Sequence, residues 1–383
     1  MRDKKYLNIA MLGHKHMLSR EGGIEIVVKE LATRMASRGH HVVCYDRSTS
    51  NVADGSVVDD RREYEGVKIV PVWTIEKKGL AAMTSSLSAA IRASRSKADV
   101  VHIHAEGPAA MCGLVKRIGK RRNGQKKRVI VTIHGLDWKR AKWGGFASRY
   151  IKWGEKQAVK HADEIIVLSR SLQELFEKEY DRKTVFIPNG LSKPEIRGAD
   201  EITKRWGLKK NNYVLFLGRI VPEKGLKYLI EAWKRVNTDK KLVIAGGSSD
   251  TADFMDVLKQ MSSEDKRIIF TGFQQGQVLE ELYSNAYIYC LPSDLEGMPL
   301  SLLEAMSYGN CCLVSDIKEC VEVVEDKALT FATGDVDELR MALQMLLNEP
   351  EMVERYKTGA VEFICSKYNW DDVVDRTLEL YRR

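Results

Sequence analysis

Glu296-Gly297-Met298-Pro299-Leu300-Ser301-Leu302-Leu303-Glu304-Ala305 sets two glutamates eight residues apart, with a proline between them. On one straight helix they would differ by about 80° in azimuth and about 12 Å in height, too far to serve one small group. Pro299 suggests another arrangement, because proline favours the first position of a helix. The helix then runs over residues 299–308 and stops at Gly309. Glu296 and Gly297 fall in the loop before it, and Glu304 lies about a turn and a half inside. Between the two carboxylates stand backbone N–H groups at the positive end of a helix dipole, which suits a phosphate. Hydroxyl-binding carboxylates on either side of an anion site match the layout of a sugar nucleotide.

Outward from this stretch, strands are expected at residues 288–291 before it and 312–314 after it. The same series includes 213–217, 242–245, 268–270 and 329–331, with helices between. Helical segments near 336–347, 350–365 and 370–382 close the chain. An earlier series opens with a buried strand at 6–12 and a helix over 24–37 that sets Ile24, Val27, Val28, Leu31 and Met35 on one face. Strands follow at 41–45, 67–72, 100–103, 129–133, 164–168 and 185–187. The βαβ opening predicts a parallel sheet. Pro188-Asn189-Gly190 through Pro194 is turn-rich and starts a linker. The fold expected is α/β, two doubly wound Rossmann-like domains facing a central cleft at the carboxyl ends of both sheets. Domain one covers 1–190 and is rejoined by a final helix at 368–383; domain two covers 191–367.

A chain of 383 residues accommodates two such cores. No apolar run is long enough to span a bilayer, and the N-terminal segment reads as a first strand rather than a signal peptide. The seven cysteines are scattered, without metal or disulfide spacing, which predicts a reducing cytoplasm. The net charge of +8 is unevenly spread. Residues 1–200 carry 38 Lys and Arg against 23 Asp and Glu, a net +15; the remainder carries 23 against 30, a net −7. The first half therefore favours an anionic surface. Its clusters are Lys116-Arg117, Lys120-Arg121-Arg122, Lys126-Lys127-Arg128 and Lys139-Arg140 with Lys142.

Gly218-Arg219 ends a strand, and Lys224-Gly225 precedes the next helix. Arg219 can meet a diphosphate with a fork and Lys224 as a point charge; the plainer reading is a βα turn with solvated charges. Gly22-Gly23 ends a strand-to-helix loop where backbone can approach a phosphate, or simply makes a turn. His134 follows the strand at 129–133 and can bond a sugar hydroxyl or a backbone group. Asp335 and Asp337 invite a metal, but they open a helix after Gly334 and suit a cap; no metal site is expected.

These residues together resemble the retaining glycosyltransferases of family 4, which have the GT-B fold. Gly22-Gly23, His134, Gly218-Arg219 with Lys224-Gly225, Glu296 with seven residues before Glu304, and Pro188-Asn189-Gly190 carry the resemblance. The segment from His134 to Trp143 looks like a bacterial subgroup that builds surface polysaccharides, although Gly135 stands where many relatives have Asp. The resemblance implies transfer of a sugar from a nucleotide diphosphate to an acceptor hydroxyl with anomeric retention, without metal or other cofactor. Arg219 and Lys224 would neutralise the diphosphate, with Gly218 beside them. Glu304 would hold the ribose, and Glu296 and His134 the donor sugar. Gly297, Met298, Pro299 and Leu300 would line the sugar or phosphate, and Gly22 and Gly23 would let a loop close on the phosphate. A lipid-linked saccharide acceptor at the inner leaflet of the plasma membrane is implied, with the enzyme peripheral on that anionic surface. Two other readings share some of these features: a GT-B nucleotide-sugar epimerase, and a nucleic-acid binder using the basic half. Against the latter, the basic residues lack aromatic interleaving, and nucleic acid is not expected as a partner.

Overall fold

In the computed structural model, which describes residues 5–20, 22–48, 59–77, 79–121, 123–139, 144–247 and 252–383, the chain divides into two units. One comprises Met1–Gly190 with Trp370–Arg383, the other Leu191–Asn369. Unit 1 contains β1 (Asn8–Leu12), β2 (His41–Arg47), β3 (Glu63–Tyr64), β4 (Val67–Val72), β5 (Val100–His104), β6 (Arg128–Ile133), β7 (Glu164–Val167) and β8 (Val185–Phe186). Their order in the sheet is β3-β4-β2-β1-β5-β6-β7-β8. The ladders are parallel except β3–β4. β5 is buried at every position and β6 at all but its first, so they read as apolar runs without alternation, as in a sheet covered on both faces. The sequence reading misses β3. Its signal was Glu65-Gly66, a two-residue turn with both φ angles positive, at 47° and 76°.

Unit 2 contains β9 (Tyr213–Leu217), β10 (Lys241–Ala245), β11 (Ile268–Gly272), β12 (Ile288–Leu291), β13 (Cys311–Ser315) and β14 (Leu329–Phe331), ordered β11-β10-β9-β12-β13-β14 and parallel throughout. Each sheet reverses its direction of growth once, between β1 and β5 in unit 1 and between β9 and β12 in unit 2. Ligands of open α/β sheets bind at the carboxyl ends of the strands at such a switch. Each unit has its own apolar core, with Phe176 and Val131 in one and Trp233 and Phe216 in the other.

The helix expected over 299–308 is Leu300–Ser307, with Pro299 as its N-cap at φ −75° and ψ 98°. The segment expected as one helix over 350–365 is two, Pro350–Lys357 and Ala360–Lys367, parted at Thr358-Gly359. The last helix, Trp370–Arg382, belongs to unit 1 and packs on the helix Gly23–Ser37. It buries Trp370, Val374, Leu378 and Tyr381, and Arg38 pairs with Asp371 at 2.9 Å and with Asp375. All seven cysteines are free thiols. Among the described residues no helix is long and apolar enough to cross a membrane.

The structure breaks up the basic run 116–128. Lys116 is paired with Asp163 at 2.8 Å. The Arg121 side chain donates to the Asp99 carbonyl at 3.2 Å. Arg128 donates to the Leu380 carbonyl at 2.7 Å and pairs with Glu164 at 3.1 Å. Lys127 is wholly buried, and its ammonium donates to the carbonyls of Ser96 and Ala98 at 2.6 and 2.7 Å. These four are structural rather than solvated cations, while Arg117, Lys120 and Lys126 are exposed. Arg122 and residues 140–143 lie outside the described residues.

Candidate functional site

Unit 2 builds its site from the two strands that flank the switch. After β9 the chain passes Gly218 and Arg219 into the single turn Pro222–Lys224, then Gly225, then the helix Leu226–Lys234. Gly225 has φ +67°, and a Cβ there would lie 1.8 Å from the Pro292 carbonyl oxygen. Only glycine lets this turn press against the end of β12. The N–H of Asp294 then donates to the Glu223 carbonyl at 2.9 Å. This seam brings the Lys224 ammonium onto Glu296, and the same carboxylate oxygen accepts from Ser293 Oγ at 2.7 Å. Ser293 is held in turn by Ser315, whose hydroxyl donates to its carbonyl at 2.5 Å. The two charged side chains are only 11% and 8% exposed, so they form a nearly dry ion pair. Removing one partner of such a pair typically costs about 3–5 kcal/mol, because the other charge is left uncompensated.

Glu304 lies on the helix Leu300–Ser307. Tyr283, buried on the helix Gln277–Asn285, donates to its carboxylate at 2.9 Å. The Tyr283 ring stacks on Tyr308, centroids 5.2 Å apart and planes 17° apart. Tyr289 on β12 donates to Ser301 Oγ at 2.8 Å. Pro299 supplies no side-chain cap, so among the described residues the positive end of this helix is open to an anion. The structure thus brings Gly218, Lys224, Glu296, Gly297, Met298, Pro299, Leu300 and Glu304 into one unit, at the loop after β9 and the loop and helix after β12. Arg219 is half-buried at the end of β9.

Gly22, Gly23 and His134 belong to unit 1. Gly22 is the N-cap of the helix Gly23–Ser37 and, like the start of the helix Leu300–Ser307, carries no side-chain cap. Two buried carboxylates that the sequence reading did not single out pin the loop before it. Asp46 at the end of β2 bonds His14 Nε2 at 2.8 Å and accepts from the Met17 N–H at 3.0 Å. Glu25 accepts from the Lys15 N–H at 2.9 Å. Burial alone would raise the Glu25 carboxyl, but the Lys15 N–H and its own N–H outweigh this and hold it below the usual range.

His134 follows β6 and is buried, with Nε2 3.1 Å from Nδ1 of His104 at the end of β5. The His104 ring lies against His102 at a tilt of 33°, centroids 4.1 Å apart. His102 bonds Thr132 at 2.7 Å through Nε2 and the Tyr381 hydroxyl at 2.6 Å through Nδ1. Burial, assisted by His134, pushes His102 down to about 3; burial, with its histidine neighbours, holds His104 well below its usual value. Both imidazoles are neutral near pH 7, so their shared bonds, not a charge, orient His134. Just beyond, Glu106 stands buried beside Glu155, which accepts from Trp138 Nε1 at 3.1 Å and pairs with Lys152 at 2.8 Å. Burial and the neighbouring Glu155 push Glu106 well above the usual carboxylate range, so it keeps its proton.

Asp335 and Asp337 diverge. Asp335 caps the helix Val336–Asn348 by accepting from the Glu338 N–H at 2.9 Å, and Asp337 pairs with Arg235 at 2.5 Å. Tyr283, Asp46 and His104 are among the supporting residues that sequence reasoning missed. Their local sequences carry no motif, and only strand order brings them to their partners.

Residues 21–193 match the family model described as Glycosyltransferase Family 4, and residues 199–363 match that described as Glycosyl transferases group 1. An uncharacterized glycosyltransferase of Methanocaldococcus jannaschii is 25% identical over 403 residues, covering 98% of this chain and 98% of that protein. The UDP-Gal:alpha-D-GlcNAc-diphosphoundecaprenol alpha-1,3-galactosyltransferase of Escherichia coli is 29% identical over 306 residues, covering 75% of this chain and 76% of that one. The sucrose-phosphate synthase structure from Thermosynechococcus elongatus has a TM-score of 0.81 at 20% identity, over 99% of this chain and 98% of its own, a likeness of fold.

Proposed function

The chain belongs to the family 4 glycosyltransferases of GT-B fold and acts on nucleotide sugars, and from that premise we propose that it transfers the sugar to an acceptor hydroxyl with retention, without a metal. The nearly dry Lys224–Glu296 pair beside an uncapped helix start carries this reading. The reaction separates charge: positive character grows on the anomeric carbon as the diphosphate leaves. Lys224 and Arg219 meet the departing diphosphate, and the first N–H groups of the helix Leu300–Ser307 add the positive end of its dipole. Diphosphate binding would give Lys224 a second counter-ion and release Glu296 toward the donor-sugar hydroxyls. Glu304, oriented by Tyr283, takes the ribose. The acceptor attacks on the face the phosphate leaves, and the phosphate oxygen takes its proton. The partner we assign to His134, in unit 1, is a sugar hydroxyl.

The acceptor we propose is a lipid-linked saccharide, with the enzyme cytoplasmic and peripheral on the inner leaflet. Support comes from the +15 balance of residues 1–200 and from the Escherichia coli relative, a galactosyltransferase named for its diphosphoundecaprenol-linked acceptor. Screening nucleoside diphosphates for a rise in melting temperature identifies the base, since a ligand selective for the folded state raises it. Nucleotide release from the matching donor is then measured with and without a saccharide acceptor, in EDTA. Release that needs the acceptor, survives EDTA and yields a product with the donor's anomeric configuration is expected. Release without acceptor would select an epimerase; an inverted product would overturn the stereochemical reading.

A further inference from the structure

The helix Gly145–His161 buries one side against its own unit, through Ile151, Gly154, Glu155 and Ala158. Among the described residues its other side is open to solvent at Phe146, Arg149, Trp153, Lys156 and Lys160. Phe146 is 73% exposed and Trp153 46%, with half-buried Tyr150 between them. The spacing of four and then three residues puts all three on one stripe of the helix. The Tyr150 and Trp153 rings adjoin at a tilt of 44°, centroids 5.9 Å apart. Together with Arg149 they line a shallow depression of about 470 Å³. Arg149, Lys156 and Lys160 stand exposed on the same stripe at spacings of three and four from Trp153 and one another. Among the described residues none of these three cations is ion-paired.

Single exposed apolar side chains are ordinary, but adjoining aromatics interleaved with unpaired cations on one helix face are not. That combination matches the boundary between lipid headgroups and acyl chains, where aromatic rings partition and cations meet phosphates. A second copy of the same face is a poor partner, because a twofold contact would set like charges against each other. We propose that this face docks the protein on an anionic bilayer, with Phe146 and Trp153 entering the interface, Tyr150 packed beneath them with its hydroxyl turned inward, and Arg149, Lys156 and Lys160 contacting lipid phosphates. This deepens the membrane-surface reading above and relocates it, since half of the run 116–128 is engaged within the fold.

The test is sedimentation with phosphatidylglycerol–phosphatidylcholine vesicles against pure phosphatidylcholine, at low and high salt. The wild type should bind the anionic vesicles and weaken with salt. Phe146→Ser with Trp153→Ser should lower the partition coefficient by about tenfold or more even at low salt. Arg149→Gln with Lys156→Gln and Lys160→Gln should abolish the preference for anionic lipid. Unchanged melting of the variants and unchanged transfer to a water-soluble acceptor show that any loss lies in docking. If the aromatic variant binds like the wild type while Arg117→Gln with Lys120→Gln and Lys126→Gln does not, a membrane contact exists but this face is not it. If the wild type stays in the supernatant, both readings fall. A wild-type dimer that the aromatic substitutions split would assign the face to self-association and overturn the proposal.

Discussion

At the residue scale, the two glutamates of the donor stretch have different partners and should fail differently. Glu304 faces a tyrosine hydroxyl, and Glu304→Gln removes a charged acceptor for ribose, weakening nucleoside diphosphate binding by about 1.5–3 kcal/mol. Glu296 neutralises Lys224 in the free enzyme. Glu296→Gln leaves that buried ammonium uncompensated until a diphosphate arrives, so folding stability and turnover should drop while diphosphate affinity holds or rises. Calorimetric titration of both variants separates the two, and equal losses of affinity would sink the assignment. His104 bonds the ring of His134 and so positions it. His104→Phe keeps the ring and loses the bond. Turnover should fall in the wild-type background and not further in His134→Ala, while nitrogen-15 imidazole spectra show a changed tautomer balance at His134. An additive loss in the double variant would mean that His104 matters only to packing.

At the scale of elements, the strand-to-strand seams decide which charges are available. Lys127 looks like one cation among six in the run 120–128, yet it is enclosed between the last turn of one helical segment and the start of β6. Burial pushes it down to about 8 from an ordinary 10.5, against the pull of Asp99. Between those values the unfolded chain binds more protons than the folded one, so stability rises with pH. Urea unfolding should show wild type gaining on Lys127→Met as pH goes from about 8 to about 10.5. A flat difference across that range would mean that the ammonium reaches water. The same seams made the site only partly legible. The βα turns, the proline and the glycines announce phosphate-sized approaches from local sequence. Asp46, Tyr283 and His104 announce nothing, because their partners are 29, 21 and 30 residues away.

At the scale of the whole molecule, two separate cores share one chain that leaves unit 1 at Gly190 and returns at Trp370. The returning helix buries Trp370, Val374, Leu378 and Tyr381 in unit 1, each contributing about 1.5–3 kcal/mol. It also supplies the Tyr381 hydroxyl to His102. A chain ending at Lys367 should therefore lose hydrogen-exchange protection in β5 and β6 and lose transfer activity. β9 and β12 should stay protected, and nucleoside diphosphate should still bind. Equal loss of protection in both sheets would show that the two cores do not unfold separately.

Local sequence specifies the parallel α/β class, two successive sheets, the final helix and the turns after β9 and before the helix Leu300–Ser307. All of these rest on local signals: apolar period, turn residues, and the stops set by proline and glycine. Folding sets Lys224 against Glu296 72 residues away, makes Lys127 core rather than surface, and leans His134 on a neutral His104. Those facts depend on strand order and burial. A lysine spelled the same way in the chain is a solvated charge, an ion-pair partner or a desolvated donor according to what the fold places around it.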